Sequence, residues 1–125
     1  MIQYLVMDVD GTLTDGKIYM GNDGEVFKAF SIKDGCGIKD IAIPAGIIPI
    51  IITARESNIV LLRCKELSIS EVYQGIRNKF ELLSNLISDF STVAYIGDDI
   101  LDLQCMVPIK KRVELSDALL MQLIR

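Results

Sequence analysis

Short apolar runs alternate along this chain with segments in which apolar residues recur at helical spacing. Residues 2–9 and 47–53 are apolar runs rich in β-branched side chains, typical of strands buried on both faces. The other predicted elements are strands over residues 71–74 and 92–96, a hairpin formed by 17–20 and 25–30, and helices over 35–45, 57–67, 78–88 and 100–107. Strands separated by helices predict a doubly wound, Rossmann-like parallel α/β sheet.

The helix predicted over residues 57–67 has an expected N-cap and an expected apolar face. Ser57 is the expected N-cap, because serine readily accepts a hydrogen bond from the first turn of a helix. Ile59, Leu62 and Leu67 are expected among its core positions.

Composition narrows the classes of protein that the chain can represent. It has 125 residues, half of them hydrophobic, so we expect one domain over residues 1–125 with a sizeable core. Its 17 acidic against 13 basic side chains argue against non-specific nucleic-acid binding. The absence of histidine excludes His-based zinc sites and Ser-His or Cys-His catalysis. The three cysteines are expected to be reduced core residues.

No segment has the pattern of a membrane span or a secretion signal. The longest apolar run, residues 41–52, is shorter than a bilayer span and contains Pro44, Gly46 and Pro49. The first residues lack the basic start and the length of a signal peptide. We therefore expect a cytoplasmic protein with no membrane partner.

Chemically active side chains follow the predicted strands. In an open parallel sheet, sites form where the strands end at their carboxyl edge. The residues that fall there are Asp8 and Asp10 after the first strand, Thr53 and Arg55 after the second, Lys79 after the third, and Asp98, Asp99 and Asp102 after the fourth.

Carboxylates crowded at one edge repel one another unless a cation lies among them. Oxygen ligands without histidine or cysteine select a hard cation, and Mg²⁺ is the expected one. Mg²⁺ in proteins is commonly coordinated by a substrate phosphate as well as by carboxylates, so the pattern indicates phosphoryl transfer. Asp8 would then act as nucleophile and Asp10 as proton donor and acceptor, while Thr53 and Lys79 would contact the phosphoryl group.

The motifs around these residues resemble those of the haloacid dehalogenase (HAD) superfamily. The segment Asp8-Val-Asp-Gly-Thr-Leu-Thr-Asp-Gly16 resembles its motif I, and Thr53, Lys79 and Gly97-Asp-Asp-Ile-Leu-Asp102 resemble motifs II, III and IV in order. The chain is similar to the small capless phosphatases of 3-deoxy-D-manno-octulosonate 8-phosphate, a sugar acid of lipopolysaccharide biosynthesis, and of related sialic-acid-type 9-phosphates. Supporting stretches include Ile52-Thr-Ala-Arg55, Tyr73-Gln-Gly75 and Ala94-Tyr-Ile-Gly-Asp-Asp99.

The resemblance implies a role for each matching residue. Asp8 would form an aspartyl-phosphate, and Asp10 would be the general acid and base. Mg²⁺ would be held by Asp8, the main-chain carbonyl of Asp10 and Asp98, with Asp99 and Asp102 steadying the metal shell. It also implies a homotetramer in which a β-hairpin flap after the first strand packs subunits and walls the site.

Some assignments stay open at this stage. Arg55 is either a clamp for a substrate carboxylate or a plain surface residue, and Asp99 and Asp102 are either part of the site or caps of the following helix. Compared with the family, Ala54 replaces a glycine. The chain is also shortened and divergent after about residue 107, where Ser116 could begin a short amphipathic helix.

Three other functions compete with the octulosonate phosphatase. The substrate could be a nonulosonate 9-phosphate, or the shortened chain could be a non-catalytic HAD domain. A phosphorelay receiver domain has a similar length, fold and acidic site. Receivers, however, place adjacent acids after the first strand and the phospho-acceptor after a middle strand, whereas the middle strand here ends in Thr53.

Overall fold

The computed structural model describes residues 1–97, 102–109 and 111–114. Its centre is a five-stranded sheet in the order β5-β4-β1-β6-β7, with every neighbouring pair parallel. These strands are β1 (Tyr4–Met7), β4 (Ile48–Ile52), β5 (Glu71–Tyr73), β6 (Val93–Gly97) and β7 (Lys111–Glu114). The hairpin consists of β2 (Tyr19–Gly21) and β3 (Gly24–Phe27). The predicted doubly wound α/β class is confirmed, while the role of the hairpin as a flap stays a prediction.

The helices cover both faces of the sheet. They are α1 (Ile32–Cys36), continued by a π-helical segment Gly37–Ala42, then α2 (Asn58–Glu66), α3 (Lys79–Leu86) and α4 (Leu103–Met106), with a 3₁₀ turn at Phe90–Thr92. Successive side chains of a strand point to opposite faces. Val6 of β1 therefore packs with Leu83 of α3, while Met7 packs in a second cluster with Val60 of α2. Burial on both faces explains the nearly continuous apolar runs of the central strands.

The first helix begins earlier than the sequence predicts. The Ser31 side chain accepts a hydrogen bond from the Asp34 amide, so the helix begins at Ile32 rather than at Gly35. This cap satisfies one of the unpaired amides of the first turn. The helix was predicted to end at Ala45, but the π-helical segment ends three residues earlier, at Ala42.

Two expectations for α2 were wrong. Ser57 stands at the N-cap, but its side chain makes no capping hydrogen bond and instead donates to the Glu25 carboxylate. Leu62 is 58% exposed, whereas Val60, Cys64 and Leu67 are buried. The buried residues recur at i, i+4 and i+7, so the side of the helix that faces the sheet is rotated away from Leu62.

The chain beyond α4 returns to the sheet. Strand β7 pairs with β6 in parallel register and forms an outer strand of the described sheet. The helix expected at Ser116 lies outside the described residues. Cys64 and Cys105 are buried as expected, but Cys36 is exposed at the end of α1. In the described part of the chain, no helix is long and apolar enough to cross a membrane.

Candidate active site

The central strand delivers Asp8 to the carboxyl edge of the sheet. Strand β1 lies between β4 and β6, and its last residue, Met7, pairs with Ile51 on one side and Ile96 on the other. The Asp8 amide then donates to the Ile96 carbonyl at 3.1 Å. Thr53 directly follows β4 and is buried. The sequence correctly placed both residues at the same edge.

A tight loop follows Asp8 and sets the path of the backbone at Asp10. The Val9 carbonyl accepts from the amides of the three residues at positions 12–14, at 2.8 to 3.2 Å. The Thr14 hydroxyl accepts from the amides of Gly11 and Gly16 at 3.1 and 3.2 Å. Gly11 has a φ of +83°, a conformation that side-chain-bearing residues rarely adopt. The glycine in Asp-x-Asp-Gly therefore serves the turn that folds the chain back beside Asp8.

A buried ammonium joins two of the predicted carboxylates. Lys79 Nζ lies 3.1 Å from Asp8 Oδ1 and 2.8 Å from Asp102 Oδ1. All three residues are 5% exposed or less. The Tyr95 hydroxyl donates to the same Asp102 oxygen at 2.6 Å. Asp102 is therefore placed to orient Lys79, and Tyr95 joins the candidate site although its sequence position did not predict this.

Burial and mutual charge set the protonation of this cluster. Burial is the largest influence on Asp8 and raises the pKa of its carboxyl, with Lys79 opposing and Asp102 adding to the shift. For Lys79, burial lowers the pKa, but Asp8 and Asp102 outweigh it and raise the pKa overall. Burial, followed by the charge of Asp102, raises the pKa of Tyr95. Lys79 is therefore cationic, and Tyr95 is a neutral donor.

Asp10 is paired with a different lysine. Lys28 Nζ lies 2.7 Å from Asp10 Oδ1 and 2.9 Å from Glu25 Oε2. The Arg55 side chain is 42% exposed, and its Nη2 lies 3.7 Å from the same Glu25 oxygen. Arg55 was predicted from the sequence, whereas Lys28 and Glu25 were not. The available signal was the excess of acids at the sheet edge, which requires more cations than Lys79 supplies.

The candidate ligand atoms are of the element that a hard cation prefers. Asp8 and Asp10 offer only oxygen, the element that Mg²⁺ prefers. Asp98 and Asp99 lie outside the described residues, and among those described no group of three or more acidic or cysteine side chains could hold a metal. The metal ligands therefore stay a prediction.

Relatives of the chain are known in several bacteria. It is 43% identical over 121 residues to "3-deoxy-D-manno-octulosonate 8-phosphate phosphatase KdsC" of Escherichia coli (strain K12), and the match covers 94% of this chain. The chain spans 64% of the length of that relative. No protein-family model matches the chain.

Solved structures show the same fold. The 3-deoxy-D-manno-octulosonate 8-phosphate phosphatase from Moraxella catarrhalis, in complex with magnesium ion, phosphate ion and KDO, aligns with a TM-score of 0.88 and 38% identity. That alignment covers 94% of this chain and 69% of the other. A putative HAD superfamily (subfamily III A) hydrolase from Legionella pneumophila aligns with a TM-score of 0.87 and 32% identity, covering 97% and 69%.

Removing the ammonium of Lys79 should destabilise the fold. In Lys79→Met, Asp8 and Asp102 stay buried without their cation, which costs about 3–5 kcal/mol of unfolding free energy. Urea unfolding at neutral pH in EDTA measures this loss. Without Lys79, the folded-state pKa of Asp8 lies further above its unfolded value, so the folded state binds more protons. The deficit should therefore shrink as the pH falls from about 8 to about 5.

Lys65→Met is the matched control for this experiment. Lys65 is exposed on α2, so its substitution should change the stability by no more than about 0.5 kcal/mol. If Lys79→Met were as stable as this control, the ion pairs of Lys79 would not contribute to the free energy of unfolding as proposed.

Proposed function

The chain belongs to the 3-deoxy-D-manno-octulosonate 8-phosphate phosphatase family of the HAD superfamily, and from this membership we propose that it is a phosphomonoesterase acting through Asp8. Its proposed substrate is 3-deoxy-D-manno-octulosonate 8-phosphate. The observation that carries the proposal is the buried Asp8 carboxylate at the end of the central strand, held by Lys79.

Asp8 is proposed to attack the phosphorus atom. The ion pair with Lys79 engages Oδ1 and restrains the carboxylate, which leaves Oδ2 to form the new bond to phosphorus. The ester P–O bond breaks, and the phosphoryl group is transferred to Asp8. Lys79 and the Thr53 hydroxyl bind the phosphoryl oxygens and offset the charge that develops on them.

Asp10 is proposed to handle the proton in both halves of the reaction. Its carboxyl group gives a proton to the oxygen of the departing sugar alcohol. The resulting carboxylate then takes a proton from the water that attacks the phosphorus of the aspartyl-phosphate. This second step releases inorganic phosphate, restores the Asp8 carboxylate and returns the proton to Asp10.

Mg²⁺ is the proposed cofactor. Asp8, the Asp10 carbonyl and Asp98 would hold it, in keeping with their oxygen-only chemistry. When bound, it supplies positive charge that offsets the phosphate and the neighbouring carboxylates. The relative from Moraxella catarrhalis was solved in complex with a magnesium ion and a phosphate ion, which supports this assignment.

The Asp8→Asn variant tests the nucleophile. An amide cannot form the aspartyl-phosphate, so we expect phosphate release to fall on the order of 10³-fold or more while the far-UV circular dichroism stays unchanged. The wild type should also lose activity in EDTA and regain it on addition of Mg²⁺. Near wild-type turnover by Asp8→Asn would refute the mechanism.

The same assay on a panel of esters identifies the substrate. The panel contains 3-deoxy-D-manno-octulosonate 8-phosphate, two nonulosonate 9-phosphates, hexose phosphates and p-nitrophenyl phosphate. A preference for a nonulosonate would replace the octulosonate assignment. No activity on any ester would favour the non-catalytic alternative.

Arg55 is proposed to bind the carboxylate of the sugar acid. Its guanidinium is partly exposed and lies near Glu25, so it is restrained without being neutralised by a close contact. We expect Arg55→Met to raise the KM for the sugar-acid phosphate about 10- to 100-fold and to leave p-nitrophenyl phosphate hydrolysis within about 2-fold. Arg55→Lys should recover part of the loss. An equal effect on both esters would assign Arg55 to the surface.

A homotetramer is the proposed assembly. The hairpin region exposes Ile18, Met20, Val26 and Phe27, each at least half exposed, and clustered apolar side chains of this kind favour burial between subunits. Light scattering should give the mass of a tetramer, and the double variant Met20→Ser, Val26→Ser should shift it to smaller species. Val107→Ser, an exposed site elsewhere, should leave the mass unchanged. A monomeric wild type would contradict the proposal.

A further inference from the structure

Lys28 is a buried cation that the reaction scheme above does not use. It directly follows β3, its side chain is only 1% exposed, and its ammonium contacts both Asp10 and Glu25. Burying a lysine is costly unless its charge is paired. The carboxylates of Asp10 and Glu25, at 2.7 and 2.9 Å from the ammonium, supply that pairing. The side chain is therefore a fixed positive charge beside Asp10.

Glu25, one of the two partners of Lys28, is hydrogen-bonded to residues outside the hairpin. Glu25 Oε1 accepts from the Ser57 hydroxyl at 2.7 Å, and the Ser57 amide donates to the Gln74 side chain at 2.8 Å. Ser57 precedes α2, and Gln74 follows β5. The ammonium is therefore held by a chain of contacts that reaches from the hairpin to the loops after β4 and β5.

The two acids of the Asp-x-Asp motif form ion pairs with different lysines. Lys79 contacts Asp8 and Asp102, whereas Lys28 contacts Asp10. Asp8 is almost fully buried, but the Asp10 side chain is 27% exposed and so has less packing to select one rotamer. The contact with Lys28 supplies a restraint that packing does not.

We propose that Lys28 is a positioning residue for proton transfer by Asp10, an inference that rests on the proposed phosphatase function. By holding Oδ1, Lys28 directs Oδ2 towards the leaving-group oxygen. Asp10 gives the proton from Oδ2 to that oxygen as the P–O bond breaks, and Lys28 neither gives nor takes a proton. A general acid must lie within hydrogen-bond reach of its target, and a displacement of about 1 Å can cost on the order of 10²-fold in rate.

Two substrates with different leaving groups separate this role from a merely structural one. An alkyl alcohol needs a proton as it departs, whereas p-nitrophenolate leaves as the anion. In Lys28→Met, we expect kcat/KM for the preferred sugar phosphate to fall about 10²-fold through kcat, whereas a loss of sugar-acid binding would instead raise KM. The value for p-nitrophenyl phosphate should fall no more than about 5-fold. Lys28→Arg should restore part of the selective loss, and Lys65→Met is the control that leaves both rates unchanged.

The outcomes distinguish the possible failures. An equal loss on both substrates, or an unchanged rate on the sugar phosphate, would overturn the role of Lys28 while leaving the phosphatase assignment intact. A wild type that hydrolyses neither ester would overturn the proposed function, and the role of Lys28 with it. If circular dichroism shows that Lys28→Met is unfolded, Glu25→Gln replaces it. This variant keeps Lys28 but weakens its anchor, and it should give a smaller loss that is still selective for the sugar phosphate.

Discussion

The arrangement of the candidate site depends on the ion pairs that the Lys79 ammonium forms with Asp8 and Asp102. A parallel sheet collects the ends of its strands at one edge, and in this chain those ends carry carboxylates. Buried carboxylates would repel one another and favour protonation without a cation among them. Lys79 begins α3, so the start of that helix supplies the charge needed at the end of the central strand. The cluster therefore joins the sheet and the helix layer, and it also holds the proposed nucleophile.

The hairpin gives the site a second source of positive charge. It exposes apolar side chains to solvent, yet the residue that directly follows it, Lys28, is buried against Asp10. Glu25 in β3 forms an ion pair with Lys28, accepts a hydrogen bond from Ser57 and lies within 3.7 Å of Arg55. Under the proposed function, a contact at the hairpin would bear on both proton transfer and recognition of the sugar acid.

Much of the candidate site could be predicted from sequence because its residues directly follow strands. Asp8 and Thr53 lie at the predicted edge, and Lys79 begins the predicted helix. The errors concern features that depend on how elements pack. Leu62 fits the helical period of α2 but faces solvent, because the sheet selects the neighbouring side through Val60 and Cys64. Ser57 has the residue type of a cap, yet its hydroxyl bonds Glu25, a partner 32 residues away.

The alternation of strands and helices, the family and the order of the chemical residues along the chain could all be predicted before the fold was known. These features are encoded locally, in apolar periodicity and in short motifs at strand ends. Which cation meets which acid, in contrast, depends on tertiary packing. Lys28 lies 18 residues from Asp10, and Lys79 lies 23 residues from Asp102. Residues this far apart in sequence come into contact only when the chain folds. A charge pair forms where packing brings two side chains together, and no local sequence pattern specifies which two they are.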